Sequence, residues 1–300
     1  MSTTSSPSSE HSKTFIHQLV ENGQGKEEDL RELLPGIDLQ SLLRQRATVV
    51  QQIRQALDVL DQAENTARQA CIGFPHLSAS SRCRCRYAVT IVGPSANRAP
   101  AEAAMTKEVD GPAWEFLMQE SGIHAFMGSD TRNKWTHAIR LGDFPEFERS
   151  AITAVFGQLH AGRNAMREQS VLGCLHRLSW DYNAHLPRQL GEKIIVQHLT
   201  QNDSLQEYAG GNLDDLERVF CLLDGKPESV QRGSLPSIIH AAQRAQMEEA
   251  ETSYLQMRWY RNGNGHITFK RRDLVEKMNA ILVAHEPGAL PAPVGKRAKR

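Results

Sequence analysis

No apolar run in this chain approaches the roughly 20 residues needed to cross a bilayer, and Met1–Lys13 lacks the hydrophobic stretch of a secretory signal. The expectation is a soluble cytoplasmic protein with no membrane partner. Cysteine is scarce: Cys71, Cys83, Cys85, Cys174 and Cys221 are odd in number and include no Cys-x-x-Cys. That argues against a disulfide framework or a zinc ribbon. Cys83-Arg-Cys85, with Arg82, Arg84 and Arg86 around it, could hold a soft metal or sense oxidant, because neighbouring cations lower thiol pKa values; incidental loop cysteines are the simpler reading. Gly-x-x-x-x-Gly-Lys-Ser/Thr, Gly-x-Gly-x-x-Gly, His-Glu-x-x-His and Gly-x-Ser-x-Gly are all missing. Their absence argues against P-loop ATP hydrolysis, Rossmann redox chemistry and zincin proteolysis. The motif expected of an adenine methyltransferase is also missing.

An excess of charge of either sign is missing as well, since 35 Lys/Arg balance 35 Asp/Glu. The balance is local rather than uniform. From Leu255 to Arg300 ten Lys/Arg face three acidic residues, so this end carries +7 and the remainder −7. Such asymmetry points the C-terminal end toward a polyanion or an acidic partner, although a solvated basic face and tail would look the same.

Glycine and proline are absent from Leu39 to Ala70. Apolar residues recur there at Leu42, Val49, Ile53, Ala56, Leu60, Ala63 and Ala67, with a second column at Leu43, Val50 and Leu57. With Asp38 as N-cap, residues 38–71 are expected to form one helix on the order of 48 Å long. Its broad stripe must pack within the chain or on a second copy, so a homodimer through residues 39–70 is one expectation. Residues 1–37 read as a disordered or weakly structured tail, and 72–110, rich in Gly, Pro and Ser, as a loop-rich connection with a β-like run at Tyr87–Val92. Residues 111–286 read as a mainly helical domain: Asp110 caps a helix bearing Trp114, Ser129-Asp130 opens another, and Asn212 opens one that stops at Asp224-Gly-Lys-Pro227. Ile194-Ile-Val196 fits a strand or a helix centre equally. The expected fold is mainly α (α+β): a long N-terminal helix, a helical body, a small C-terminal hairpin over 254–269 and a helix over 272–284, before a basic disordered tail at 287–300.

The hairpin rests on Asn262-Gly-Asn-Gly265, which suits a tight primed turn because glycine, and less readily asparagine, accepts positive φ. Alternation then places Tyr254, Gln256, Arg258 and Tyr260 on one face with His266 and Thr268, and Leu255, Met257 and Trp259 on the other with Ile267 and Phe269. Arg258, Tyr260, Arg261, Asn262, Asn264, His266, Lys270, Arg271 and Arg272 combine cations with aromatic rings, the mixture that nucleic-acid surfaces use. They are the candidate nucleic-acid-binding residues. If all five cations among them from Arg258 to Arg272 met phosphates of duplex DNA, the salt slope would be roughly −4 to −5.

Catalysis has weaker candidates. His266, Asp214 and Asp215 could serve a Mg²⁺-dependent nuclease or phosphodiesterase, and only that alternative calls for a cofactor. The same aspartates complement a helix dipole, and a hairpin histidine can serve a turn. No residue presents itself as a confident metal ligand. A third reading is a protein-interaction module that inhibits a host defence complex, with a host or mobile-element protein as partner.

Trp259-Tyr-Arg-Asn-Gly-Asn-Gly-His-Ile-Thr-Phe269 with Arg272-Asp-Leu-Val-Glu-Lys-Met-Asn279 resembles the C-terminal signature of an uncharacterised family of bacterial, phage and genomic-island proteins, domain of unknown function number 4942. Leu178-Ser-Trp-Asp-Tyr182, Gly191-Glu-Lys-Ile-Ile-Val196, Leu213-Asp-Asp-Leu-Glu-Arg-Val-Phe220 and Leu223-Asp-Gly-Lys-Pro227 extend the resemblance over about residues 38–290. Asn183-Ala-His-Leu186 departs from it, since a more Thr-Asn-like sequence is expected there. Some relatives carry a DNA methyltransferase module that this chain lacks. The resemblance supplies no catalytic residues. It implies a mobile-element protein that works near DNA modification or host defence; with the basic hairpin, the expected function is that of a non-catalytic DNA-associated accessory in a bacterial cytoplasm.

Overall fold

A computed structural model describes residues 15–22, 33–79, 89–92, 97–181, 183–201, 204–226 and 234–292. The expected N-terminal tail over 1–13, Cys83, Cys85 and the basic cluster Lys296–Arg300 lie outside these. The described chain is mainly helical, with small antiparallel sheets. Among the described residues no helix is long and apolar enough to cross a membrane.

The chain divides into two compact units, Met1–His124 with Thr131–Gly162, and Ala125–Asp130 with Arg163–Arg300. The boundary at Gly162 falls inside the stretch that the sequence suggests as one helical domain. In the first unit, α1 (Phe15–Asn22) is followed by the long α2 (Leu39–Gln69), whose cap Asp38 accepts the Ser41 backbone N–H at 3.0 Å. Both apolar columns of α2 contribute to its inward face, the second more deeply. Leu39, Val50 and Leu57 are buried, with Leu42, Leu43, Arg46, Ile53, Leu60 and Ala67 partly so, while Val49 is 40% and Val59 62% exposed. Arg46, Arg54, Asp58 and Asp61 flank this face and pair with the neighbouring helix, the last three from largely exposed positions.

That neighbouring element is α3 (Arg98–Glu120), and it corrects two expectations. Among the described residues β1 (Leu77–Ala79) and β2 (Val89–Val92) lie in the connection, and the helix begins twelve residues before Asp110, passing through Gly111 and Pro112. Pro100 sits in the first turn, where its missing N–H costs nothing. Gly111 packs against the Phe144 ring, where a Cβ would stand in ordinary contact, 3.5 Å from Cζ. Buried Ala101, Trp114, Leu117 and Met118 outweigh the single hydrogen bond that Pro112 removes. Trp114 anchors this core, edge-on to Trp135 and Phe147 and stacked on Phe156. These partners come from α4 (Ser129–Leu141), α5 (Arg149–Ala161) and the loop between them, and α1 packs on α5. Asp110 therefore caps nothing; its side chain is 2% exposed and binds Arg46.

The second unit is built from α6 (Arg163–Ser179), α7 (Glu207–Asp224), α8 (Leu235–Arg244) and α9 (Arg272–His285) around a four-stranded antiparallel sheet. Short pairs β3 (Trp180–Asp181) with β4 (Leu186–Pro187), and β6 (Thr200–Gln201) with β7 (Ser204–Leu205), join these elements. The sheet consists of β5 (Lys193–Val196), β8 (Glu249–Glu251), β9 (Leu255–Trp259) and β10 (Gly265–Phe269), in the order β5-β10-β9-β8. Ile194-Ile-Val196 is thus a strand. Helix α7 starts at Glu207 rather than Asn212 and runs through Gly210 and Gly211; Gly210 packs against Leu205, whose Cδ2 would lie 2.9 Å from a Cβ there. It ends as expected at Gly225, with φ +68°. Phe220 packs edge-on to Phe269 and beside Tyr254, tying α7 to the hairpin.

Candidate nucleic-acid interface

β9 and β10 pair with Gly265 opposite Trp259, His266 opposite Arg258 and Thr268 opposite Gln256. Leu255, Met257, Trp259, Ile267 and Phe269 are buried, while Gln256, Arg258 and Thr268 are exposed and His266 is half-buried. Alternation thus assigns the faces of both strands as their sequence requires. Tyr254 is the exception. It precedes the strand, is 4% exposed, and donates its hydroxyl to Asp224 Oδ2 at 3.2 Å; burial pushes its phenol pKa up.

The turn differs from the primed two-residue form. Gly263 N donates to Tyr260 O at 2.9 Å and Tyr260 N to Asn264 O at 3.0 Å, so Arg261, Asn262 and Gly263 form a three-residue loop. In it only Gly263 takes positive φ, at +81°, the geometry of a loop closed by a left-handed glycine. Asn262 instead braces the loop by accepting the Asn264 N–H at 3.1 Å. A Cβ on Gly263 would also meet Thr200 O at 2.7 Å, and one on Gly265 would overlap Leu199. Both glycines are needed because the segment at 199–200 lies against the turn.

The structure brings three predicted residues together. The Tyr260 ring centroid lies 4.7 Å from that of His266 and 5.7 Å from the Arg258 guanidinium carbon. Arg261, Asn262 and Asn264 stand beside them at the turn. It draws three others into ion pairs. Lys270 Nζ lies 2.5 Å from Glu251 and donates to Thr252 O at 2.9 Å. Arg271 bonds Asp224 at 2.9 Å and Asp273 at 2.7 and 2.8 Å. Arg272 meets Glu192 at 3.0 Å, in a pair more than 70% exposed on both sides that phosphate could displace at little cost. Among the described residues neither Arg258 nor Arg261 pairs with a carboxylate.

Residues that sequence reasoning missed complete this face. Ile195 stands opposite His266 and is 55% exposed, whereas Glu249 stands opposite Arg258 and Glu251 opposite Gln256. Acidic residues therefore bound the basic patch on the β8 side. No local signal could have placed Ile195, because β5 lies some sixty residues before the hairpin, whereas Glu249 and Glu251 precede β9 by only a few residues and a strand there was within reach of local reading. Asn279, in the motif used for the resemblance, binds the Leu190 backbone N–H and C=O at 2.8 and 2.9 Å and so aligns the entry to β5.

The catalytic candidates are not brought together. Asp214 Oδ1 accepts the Leu235 N–H at 3.0 Å, at the start of α8, and Asp215 lies within an arginine pair. Among the described residues no three His, Cys, Asp or Glu side chains could share a metal ion. Of the cysteines described, Cys71 is exposed, whereas Cys174 and Cys221 are buried. Burial pushes the Cys174 thiol up to about 12, leaving almost no thiolate at neutral pH.

Asp224 links the end of α7 to the hairpin. Hydrogen bonds from Lys226 and Arg271 hold its carboxyl well below the usual range, and Arg271 does the same to Asp273. A depressed folded-state pKa contributes stability above the unfolded value of about 4 and loses it as pH falls below that. Asp224→Asn should therefore lower the urea midpoint near neutrality. From about pH 4 downward the gap between variant and wild type should shrink, closing only as the pH falls through the depressed folded-state value. Parallel curves throughout would show that the Asp224 charge contributes nothing.

A family model described as a domain of unknown function, DUF4942, matches residues 106–288, more than half of the chain. The match is narrower than the motifs suggest, and α2 lies outside it. No curated protein and no solved structure matches the chain. The stretch matched includes the hairpin, the Asn279 clamp and the helices that support them, and by it the chain belongs to the DUF4942 family.

Proposed function

We propose that this chain is a non-catalytic, DNA-associated accessory protein of a bacterial mobile genetic element, working in the cytoplasm near DNA modification or defence, with the exposed hairpin face as its contact surface. The observation that carries the reading is the Arg258–Tyr260–His266 cluster, held on paired strands whose other side is buried. Rigid strands reduce the ordering cost of binding. The resemblance to phage and genomic-island proteins, some bearing a methyltransferase module, supports the setting.

The ion pairs of Lys270 and Arg271 revise the expected strength. Arg258, Arg261 and the loosely held Arg272 leave three phosphate contacts, so the salt slope on duplex DNA should be about −2 to −3 rather than −4 to −5. Fluorescence anisotropy over a salt series measures it. Arg258→Ala should flatten the slope by about one. Binding that ignores Arg258→Ala but disappears with residues 287–300 would assign the affinity to the tail and refute the reading.

A further inference from the structure

The hairpin face is chemically more particular than a basic patch. Tyr260 is 38% exposed, and its ring sits with His266 and the Arg258 guanidinium, one residue past the end of β9. Ile195 adds an exposed apolar side chain directly across from His266. Three strands thus contribute to one low ridge of flat π-surfaces and hydrocarbon. The supply of cations beside it is small. Lys270 is taken by Glu251 and Arg271 by Asp224 and Asp273, and Glu249 adds a negative charge opposite Arg258.

Duplex DNA hides its base faces and offers chiefly phosphates, so three available cations support it only weakly and leave the Tyr260 ring unused, while Glu249 opposite Arg258 opposes a phosphate there. A single strand offers unstacked bases. Those bases stack on aromatic rings and guanidinium planes, and a solvent-facing antiparallel sheet is a suitable platform. Resting on the reading that this face contacts nucleic acid, we infer that its ligand is single-stranded: one base stacks on Tyr260 and adjoining phosphates meet Arg258 and Arg261. The acidic edge at Glu249 and Glu251 confines the strand to the β5–β10–β9 side. A footprint of about two or three nucleotides follows.

The test uses the full chain and three labelled probes: an oligo-dT, an oligo-U of equal length and a blunt mixed-sequence duplex. Anisotropy should give single strands at least about tenfold tighter than the duplex. The dT and U arms show whether DNA or RNA is preferred. Tyr260→Ala should weaken single-strand binding by about five- to a hundredfold, while Tyr260→Trp should restore it and have its fluorescence quenched by the bound base. Because Tyr260 is exposed, thermal unfolding of both variants should match wild type, separating loss of a platform from loss of fold. Duplex binding equal to or tighter than single-strand binding, but still lost in Arg258→Ala, would overturn the single-strand inference and leave the interface standing. Binding indifferent to both Arg258→Ala and Tyr260→Ala, or no binding to any probe, would overturn both.

Discussion

Asp215→Ala is expected to destabilise the second unit by about 3–5 kcal/mol, because the substitution removes the shared carboxylate from two guanidinium groups that are largely out of water. The Asp215 side chain is 9% exposed; Arg177 reaches Oδ2 at 2.6 Å, Arg218 binds Oδ1 from one turn further along α7, and the Ser129 hydroxyl bonds Oδ2. Arg177 also donates to Ser129 Oγ at 3.0 Å, so one carboxylate holds together α6, α7 and the start of α4. Thermal and urea unfolding would measure the loss. The same variant separates two roles. A structural anion predicts a large fall in stability, whereas a nuclease metal ligand predicts Mg²⁺-dependent cleavage that disappears while the melting transition stays in place. The second outcome would reverse the assignment of Asp215 to the fold.

Asp110→Ala should cost the first unit a similar amount, about 3–5 kcal/mol. Both Asp110 oxygens are engaged by Arg46 at 2.9 Å, and Oδ2 also accepts the Phe147 backbone N–H at 3.1 Å. Arg46 is only 14% exposed, and its hydrogen bond to Asp110 is the main cause of its raised pKa. Removing the carboxylate leaves Arg46 with only its exposed partner Glu146, at 3.1 Å, and leaves the buried Phe147 N–H unpaired. Replacing both partners, as Arg46→Met with Asp110→Leu, should recover part of the loss, since apolar packing avoids the desolvation of two ions. The Phe147 N–H remains unpaired in that double variant, so recovery should be incomplete. Strictly additive losses would show that the pair is uncoupled.

These two aspartates show where reading along the chain falls short. Asp110 precedes Gly-Pro and looks like a cap, and Asp215 follows Asn212 and looks like a first-turn charge. Both lie inside helices that begin earlier, α3 at Arg98 and α7 at Glu207. Local propensity favours a break at Gly111-Pro112 and at Gly210-Gly211, but burial of Trp114, Leu117, Leu213 and Leu216 is worth more than the few kcal/mol at stake. The phase of α2 was likewise hidden. Apolar spacing alone permits either column to lie deeper, and the residues of α3 that pair with α2 here are 37 to 48 positions away.

Legible along the chain are the mainly helical class, the Asp38 cap, the helix stop at Gly225, and the alternation that buries Met257, Trp259 and Ile267 while exposing Arg258. Each depends on neighbours within a few residues, where capping, positive φ and strand period act directly. Only the tertiary structure decided which cations remain free. Glu251, Asp224 and Glu192 come from separate elements and occupy Lys270, Arg271 and Arg272, while Ile195 and Glu249 set the chemistry at either side of the His266–Arg258 pair. Charge on a strand is a property of its residues, but charge available to a ligand depends on what sheet pairing and helix packing place opposite them. Those partners are joined by space and not by sequence separation.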